Sequence, residues 1–280
     1  MTMSAHHLIT DDAGAPVLPV LLFPEGLAVQ YRRWSEGGEF ALPVRDTVCL
    51  RNTTQRPTAW SLLPGPWPTL LFPSHASAQL YAATTTCRTL ILGPGQALYV
   101  VRLRGGGRWL TEQSLHTLID RPVELAPFMP GCEQLTAALL RGAPLAELSA
   151  LLQRRLELLG GGQSAPVLRR CLELIDERHG QIRVAELSGE LDCGERYLNR
   201  LLRREMGLSP KAVCQLVQLH HALHTLLTTR SRSLLHIAVG CGYFDQAHMN
   251  RHFYRFLGCS ANQVRRGALG GDGANDQLSG

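Results

Sequence analysis

The sequence has no apolar run long enough to cross a bilayer, which takes roughly 18–20 residues. The longest apolar run near the amino terminus, residues 16–29, is interrupted by Pro19, Pro24 and Gly26. Residues 1–12 contain no basic segment followed by an apolar one, so no signal peptide is expected. We therefore expect a cytoplasmic protein with no membrane partner.

The sequence also lacks clustered metal ligands. Its eight cysteines are scattered and none forms a Cys-x-x-Cys pair, which argues against zinc ribbons and thioredoxin-like sites. His75 and His116 are isolated, and the histidines at 6–7 lie near the terminus. His220 and His224 are one helical turn apart, but no third ligand is apparent and solvated helix surface is favoured. We expect no metal, no cofactor and no catalytic residue.

The chain does have enough apolar residues for a core, since 45% of its 280 residues are hydrophobic and 18% are charged. This composition excludes wholesale disorder, and the length suggests two domains. The net charge is +5, and 27 of the 28 basic residues are arginine. Residues 166–268 hold 15 basic and 9 acidic residues, a net charge of +6, whereas the rest carries −1. The excess positive charge therefore belongs to the C-terminal part.

Residues 1–159 are expected to form a β-rich domain that ends in helices. Short runs rich in Val, Leu, Thr and Tyr, separated by Gly and Pro, predict an antiparallel sandwich or barrel. The predicted strands are Leu27–Arg33, Asp46–Arg51, Thr58–Leu63, Thr69–Phe72, Thr89–Leu92 and Ala97–Arg104. The four tryptophans could line an effector pocket, but a plain hydrophobic core explains them equally well.

The pattern becomes helical from about Thr111, and Pro144–Leu159 has apolar residues at helical spacing with Pro144 as the first helical residue. The glycine-rich segment 160–165 then predicts a linker. Residues 267–280, with five glycines, predict a disordered tail.

Residues 166–266 are expected to form an all-α domain of seven short helices. Two helix-turn-helix units stand out within it, at residues 184–202 and 234–253. The second helix of each unit, at Glu195–Met206 and Asp245–Leu257, has one apolar face and one polar face. The apolar face predicts a core set of Tyr197, Leu198, Leu201, Met249 and Phe253. In the second unit, Ser233 and Asp245 are the predicted N-caps, and Asn250 is expected near the outer face.

The polar face of each second helix carries side chains suited to reading DNA. In the major groove, arginine can form two hydrogen bonds with guanine, and asparagine or glutamine can form two with adenine. A helix of about 20 residues between the units is about 30 Å long, close to the 34 Å between successive major grooves. One domain could therefore read two adjacent grooves without dimerising.

Residues 166–266 resemble the DNA-binding domain of the AraC/XylS family of transcription regulators. The resemblance is strongest over Ala238–His248 and at Arg251, Phe253 and Phe256 that follow. It implies base contacts from the outward positions of the second helix of each unit. These two second helices are called the reading helices below. Those positions are Arg196, Asn199, Arg200, Arg203, Gln246, Ala247, His248 and Arg251.

The family resemblance also implies the role of the first domain and the partners of the whole chain. In such proteins a cupin-like barrel followed by helices usually senses a small molecule or mediates dimerisation. Double-stranded DNA is the expected partner, with RNA polymerase as a second one and a transcription activator as the expected function. A small-molecule effector and a homodimer stay open, and the effector-binding residues are unknown.

Two other functions compete with this interpretation. A DNA-repair alkyltransferase fused to the same domain would need a reactive cysteine in a basic setting, such as Cys87 beside Arg88. A non-specific DNA-binding protein would show uniform affinity and no loss of discrimination on truncating Arg196 or Arg251. We expect a non-enzymatic, sequence-specific regulator.

Overall fold

A computed structural model describes residues 24, 26–34, 43–111, 113–160, 165–229 and 231–267. Linker residues 161–164 and tail residues 268–280 lie outside the described residues, so those two predictions stay untested. Within the described part of the chain, no helix is both long and apolar enough to cross a membrane.

The N-terminal region contains two antiparallel sheets. The strands are β1 Leu27–Arg33, β2 Val44–Asn52, β3 Thr58–Leu62, β4 Thr69–Pro73, β5 Gln79–Tyr81, β6 Arg88–Leu92, β7 Ala97–Leu103 and β8 Val123–Glu124. The six-stranded sheet has the order β1-β2-β7-β4-β5-β8, and β3 pairs with β6. The predicted β-rich region is confirmed. The short strands β5 and β8 were not predicted, because three and two residues carry too little periodic signal.

Side chains on both faces of the six-stranded sheet are buried. Successive side chains point to opposite faces, so Val48 and Leu50 pack between the sheets with Trp60. Cys49 and its cross-strand neighbour Tyr99 pack on the other face, against the helices that follow the barrel. The region from β1 to β8 is called the barrel below.

Two helices cover the outer face of the barrel, α1 at Glu133–Leu140 and α2 at Leu145–Leu158. Pro144 is the residue before α2 rather than its first residue, because its extended backbone belongs to the N-cap. The helical pattern near Thr111 yields only a short 3-10 helix at Leu115–Leu118.

The C-terminal region is helical, as predicted. Its helices are α3 Pro166–Glu177, α4 Val184–Glu190, α5 Glu195–Met206, α6 Pro210–Thr228, α7 Leu234–Gly240, α8 Gln246–Leu257 and α9 Ala261–Arg265. The pair α4–α5 is repeated as α7–α8. The 12-residue helices α5 and α8 both end at a glycine in the left-handed conformation, Gly207 at φ 76° and Gly258 at φ 73°. Equivalent positions in α5 and α8 differ by 51 residues.

One of the hydrophobic clusters, called the shared core below, spans both regions. Trp67 and Ala83 of the barrel pack among the buried side chains of α3 to α9. The Nε2–H of His220, on α6, donates a 2.7 Å hydrogen bond to the carbonyl of Pro64, and its ring meets the Trp67 ring edge-on. His220 is only 7% exposed, so its interpretation as solvated helix surface was wrong. No local pattern in the sequence indicates that the barrel covers this face of α6.

The four tryptophans do not form one pocket. Trp60 packs between the two sheets, and Trp67 packs in the shared core with the helical region. Trp34 and Trp109 pack against the outer face of the barrel. The tryptophans therefore mark three separate apolar clusters.

Candidate nucleic-acid interface

Helix α5 presents all four of its predicted contact residues to solvent, while Leu198, Leu201 and Leu202 are buried beneath them. The exposed residues are Arg196, Asn199, Arg200 and Arg203. The Nε–H of Arg203 donates a 3.1 Å hydrogen bond to Asn199 Oδ1, which links two of these side chains one turn apart.

The prediction that Tyr197 belongs to the core was wrong. Its side chain is 40% exposed, and the Arg200 guanidinium lies 5.9 Å from its ring centroid. Successive helical residues are turned by about 100°, so Tyr197 lies at the border of the stripe that Leu198 and Leu201 bury. It adds an aromatic surface beside the arginines. Leu198, Leu201, Met249 and Phe253 are buried as predicted.

Helix α8 presents Gln246, Ala247, His248 and Arg251 to solvent. The Asp245 carboxylate accepts a 2.6 Å hydrogen bond from the His248 backbone N–H, which confirms Asp245 as the predicted N-cap.

One polar residue of α8 has a structural partner instead. Asn250 was expected near the outer face, but its side-chain oxygen accepts a hydrogen bond from the Ala261 backbone N–H. It therefore ties α8 to α9.

Two groups of arginines in the helical region differ in their partners. Arg169, Arg170, Arg178 and Arg204 each form an ion pair with a glutamate. Among the described residues, no carboxylate lies within 4.0 Å of the guanidinium groups on the polar faces of α5 and α8. This second group consists of Arg196, Arg200, Arg203 and Arg251. Their charge is therefore not neutralised within the described part of the chain.

The turn before α8 is held by buried polar groups. Tyr243 and His252 share a 2.8 Å hydrogen bond between the tyrosine hydroxyl and Nδ1. Burial lowers the pKa of His252 to about 4, with smaller contributions from His248 and Arg255, so its ring is neutral at pH 7. The Gln218 side chain donates a 2.9 Å hydrogen bond to the carbonyl of Cys241. The first bond joins the turn to α8, and the second joins the turn to α6.

Phe244 is a surface feature that the sequence reasoning missed. It precedes the N-cap Asp245 and is 88% exposed. An apolar residue at this position often packs on the fourth helical residue, here Met249, but this exposure excludes such packing. The signal for this feature in the sequence was an aromatic residue placed directly before the N-cap of a helix with a polar face.

The spacing of the two units follows from α6. Its 19 residues give a length of about 28 Å at 1.5 Å per residue. This is comparable with one turn of B-DNA, about 34 Å.

Cys87 is a poor candidate for a reactive thiol. Burial raises the pKa of the Cys87 thiol, with smaller opposing contributions from hydrogen bonds to Ser61 and Arg88. A nucleophilic cysteine requires a lowered pKa. Among the described residues, no group of three or more His, Cys, Asp or Glu side chains is arranged to hold a metal ion.

Comparison with known proteins agrees with the repeated helical units. A family model described as a helix-turn-helix domain matches residues 187–267. The HTH-type transcriptional activator RhaS of Escherichia fergusonii is 36% identical over 72 residues, which span 26% of this chain and 26% of that protein. The match thus covers about a quarter of the relative's length.

Two solved structures share low similarity with the chain. The C-terminal domain of AraT, a response regulator from Geobacillus stearothermophilus, has 23% identity and a TM-score of 0.36, covering 42% of this chain and 98% of its own. ToxT from Vibrio cholerae has 8% identity and a TM-score of 0.43, covering 87% of this chain and 99% of its own. At these TM-scores they carry no functional inference. The family model lies in the C-terminal region, where residues 187–267 match a helix-turn-helix domain.

Proposed function

We propose that this protein is a sequence-specific regulator of transcription that reads two adjacent major grooves of double-stranded DNA. The main support is the repeated surface of α5 and α8. Eight polar or small side chains are exposed there, and the four arginines among them have no carboxylate within 4.0 Å in the described part of the chain.

In the proposed complex, the N-terminal halves of α5 and α8 enter successive major grooves. Arg196 and Arg251 reach base edges as bidentate donors, and Gln246 pairs with adenine. Ala247 offers only an apolar contact, suited to a thymine methyl group. Arg200 and Arg203 extend the contacts of α5, and their positive charge also attracts the phosphate backbone. The mechanism involves binding and no bond-making step.

The proposal extends to gene activation. RhaS, with 36% identity over the aligned stretch, bears the description of a transcriptional activator. We accordingly propose that this chain activates transcription by contacting RNA polymerase at a promoter. In-vitro transcription from a promoter bearing the selected site tests it: a rise in transcript supports activation, whereas a fall indicates repression.

The barrel has a proposed regulatory role. Its packing against α6 through Pro64 and Trp67 gives it a route to the DNA-binding helices. We propose that a small-molecule effector or a second copy of the chain acts through the barrel. Footprinting with and without candidate effectors, together with light scattering, tests the two possibilities.

Selection of bound duplexes from a random pool tests sequence-specific binding directly. The proposal predicts a bipartite motif, with two short conserved blocks whose centres are about 10 base pairs apart. Arg251→Ala should relax one block only. Uniform recovery of unrelated sequences would instead support a non-specific DNA-binding protein.

The alkyltransferase alternative has less support, because burial raises the pKa of the Cys87 thiol. Methyl transfer from alkylated DNA that is lost in Cys87→Ala would revive it.

A further inference from the structure

The barrel holds both reading helices at equivalent positions. The Gly107 backbone N–H donates a 3.1 Å hydrogen bond to the carbonyl of Glu205, and the Cys87 backbone N–H donates a 3.0 Å bond to the carbonyl of Phe256. Glu205 and Phe256 are the penultimate residues of α5 and α8. They correspond to each other in the 51-residue repeat. The same carbonyl of each reading helix is therefore bonded to the barrel.

These bonds are made where a helix can accept them. The last four carbonyls of an α-helix have no partner within the helix, so they are open to donors from elsewhere. The proposed base-reading residues lie towards the other end of each helix, near Arg196 and Gln246. The barrel can thus hold α5 and α8 without occupying their N-terminal turns.

The end of α5 is held at close range. A Cβ atom on Gly106 would lie 2.4 Å from the carbonyl oxygen of Glu205, so only glycine permits this approach. The Nδ1–H of His116 also donates a 3.2 Å hydrogen bond to the carbonyl of Gly207. A Cβ on Gly207 would meet the Leu115 backbone at 2.8 Å. Two backbone segments therefore meet with no side chain between them.

Further contacts fix the helices that lie between and before the reading helices. His220 of α6 bonds to the carbonyl of Pro64. Arg45 of β2 donates a 2.6 Å hydrogen bond to the Asp176 carboxylate of α3, and its guanidinium lies 4.1 Å from the Trp67 ring centroid. The barrel thus contacts α3, α5, α6 and α8 as one surface.

We propose that the barrel is a clamp that sets the separation of the two reading helices, and thereby the spacing of DNA half-sites that the protein accepts. Gly106, Gly107 and Cys87 are its positioning residues. This inference rests on the proposed function, because spacing matters only if both units bind one DNA molecule. A change in the barrel that moved Cys87 or Gly106 and Gly107 would widen the range of half-site spacings that the protein accepts. It would have less effect on the base preference of each half-site.

The test uses the full-length chain and duplexes carrying the selected half-sites at the preferred spacing or shifted by one or two base pairs. One base pair turns a groove by about 35° around the DNA axis, so a fixed pair of helices cannot follow the shift. Cys87→Pro removes the N–H that bonds to Phe256, and Cys87→Ala, which retains it, is the matched control. Gly106→Val breaks the close approach to Glu205. Arg56→Ala, at an exposed barrel position, is a second control.

We expect the wild type, Cys87→Ala and Arg56→Ala to lose about tenfold or more in affinity on shifted sites, equivalent to about 1.4 kcal/mol. Cys87→Pro and Gly106→Val should lose less than about threefold while keeping the base preference of each half-site. If Cys87→Pro does not fold, as judged by its thermal transition, Gly106→Val decides alone. Unchanged spacing discrimination in a folded variant overturns the clamp. A wild type that binds all spacings equally also overturns the clamp, whereas a wild type that needs only one half-site overturns the two-groove proposal instead.

Discussion

The two helix-turn-helix units share a backbone frame but differ in the surface they present. Both reading helices have 12 residues, end at a left-handed glycine and are bonded to the barrel at the penultimate carbonyl. The predicted contact residues of α5 include three arginines, and its N-cap Gly194 offers no side-chain cap. The predicted contact residues of α8 are one arginine with Gln, Ala and His, and Asp245 caps this helix.

This difference suggests a division of labour within one DNA-binding domain. Arginine is attracted to phosphates whatever the base sequence, so the three arginines among its contact residues give the first unit a large non-specific component of affinity. The contact residues of the second unit carry fewer charges and more neutral hydrogen-bonding groups, so its contribution should depend more on base identity. Four sets of substitutions test the comparison between the two units.

The largest effect should come from equivalent core positions. Phe253 and Leu202 correspond in the repeat, and both are fully buried in the shared core. We expect Phe253→Ala to cost about 3–5 kcal/mol in the free energy of unfolding and Leu202→Ala about 2–5 kcal/mol, because each leaves a cavity. Urea denaturation measures both. Tyr254→Ala, at an exposed position, should change stability by less than about 0.5 kcal/mol. Separate transitions for the two units would contradict a single shared core.

The next effect is a pH dependence that belongs to the second unit. The pKa of His252 is lowered from 6.5 to about 4, first by burial and then by His248 and Arg255. Below pH 6.5 the unfolded chain binds a proton that the folded chain does not bind until about pH 4. The free energy of unfolding therefore falls as the pH is lowered from 6.5 to about 4. The shift corresponds to about 3 kcal/mol.

The first unit supplies a matched variant for this test, since Leu201 occupies the position equivalent to His252. His252→Leu should lose less stability than the wild type between pH 6.5 and pH 4, as measured by urea denaturation at several pH values. The remaining pH dependence belongs to other groups, including His220 and His221, whose pKa values are also lowered by burial. If the free energy of unfolding depends on pH in the same way in the variant and the wild type, His252 does not contribute to this dependence.

Arginines from both units test the division of labour on DNA. Arg196→Ala and Arg251→Ala should each lose about 1–3 kcal/mol of discrimination at one base position, in different half-sites. Competition binding with single-base variants of the selected site measures this. Arg203→Ala should lower the salt dependence of binding more than Gln246→Ala does, because it removes a charge. Equal salt slopes for these two variants would contradict the proposed division.

The smallest effect concerns the helix caps. Asp245→Ala removes the acceptor for the His248 N–H and should cost about 1 kcal/mol of stability. Gly194→Ser supplies the missing cap of α5 and should add only a few tenths of a kcal/mol. Thermal unfolding monitors both changes. A loss of stability in Gly194→Ser would show that a cap cannot form there.

The helical region was largely predictable from the sequence, because helix periodicity and caps are local signals. The predicted bounds of α5 agree with the structure, and Ser233 and Asp245 are N-caps as expected. The exposure of all eight candidate contact residues followed from the same periodicity. Whether they bind DNA is still a prediction.

The contacts between the barrel and the helices could not be predicted in this way. His220, Trp67 and Gly106 bring together segments far apart in the sequence, and no local pattern encodes such pairing. Tyr197 was assigned to the core because it is aromatic, although its position at the border of the buried stripe leaves it 40% exposed. Phe244 was missed for the opposite reason, since its apolar side chain faces solvent.

Hydroxyl-radical footprinting on the selected operator tests most directly whether both units read one DNA molecule. The account predicts two protected patches on one face of the duplex, about one helical turn apart. Arg196→Ala should weaken protection at one patch and Arg251→Ala at the other. A single protected patch in the wild type, or the same patch weakened by both variants, would contradict the account.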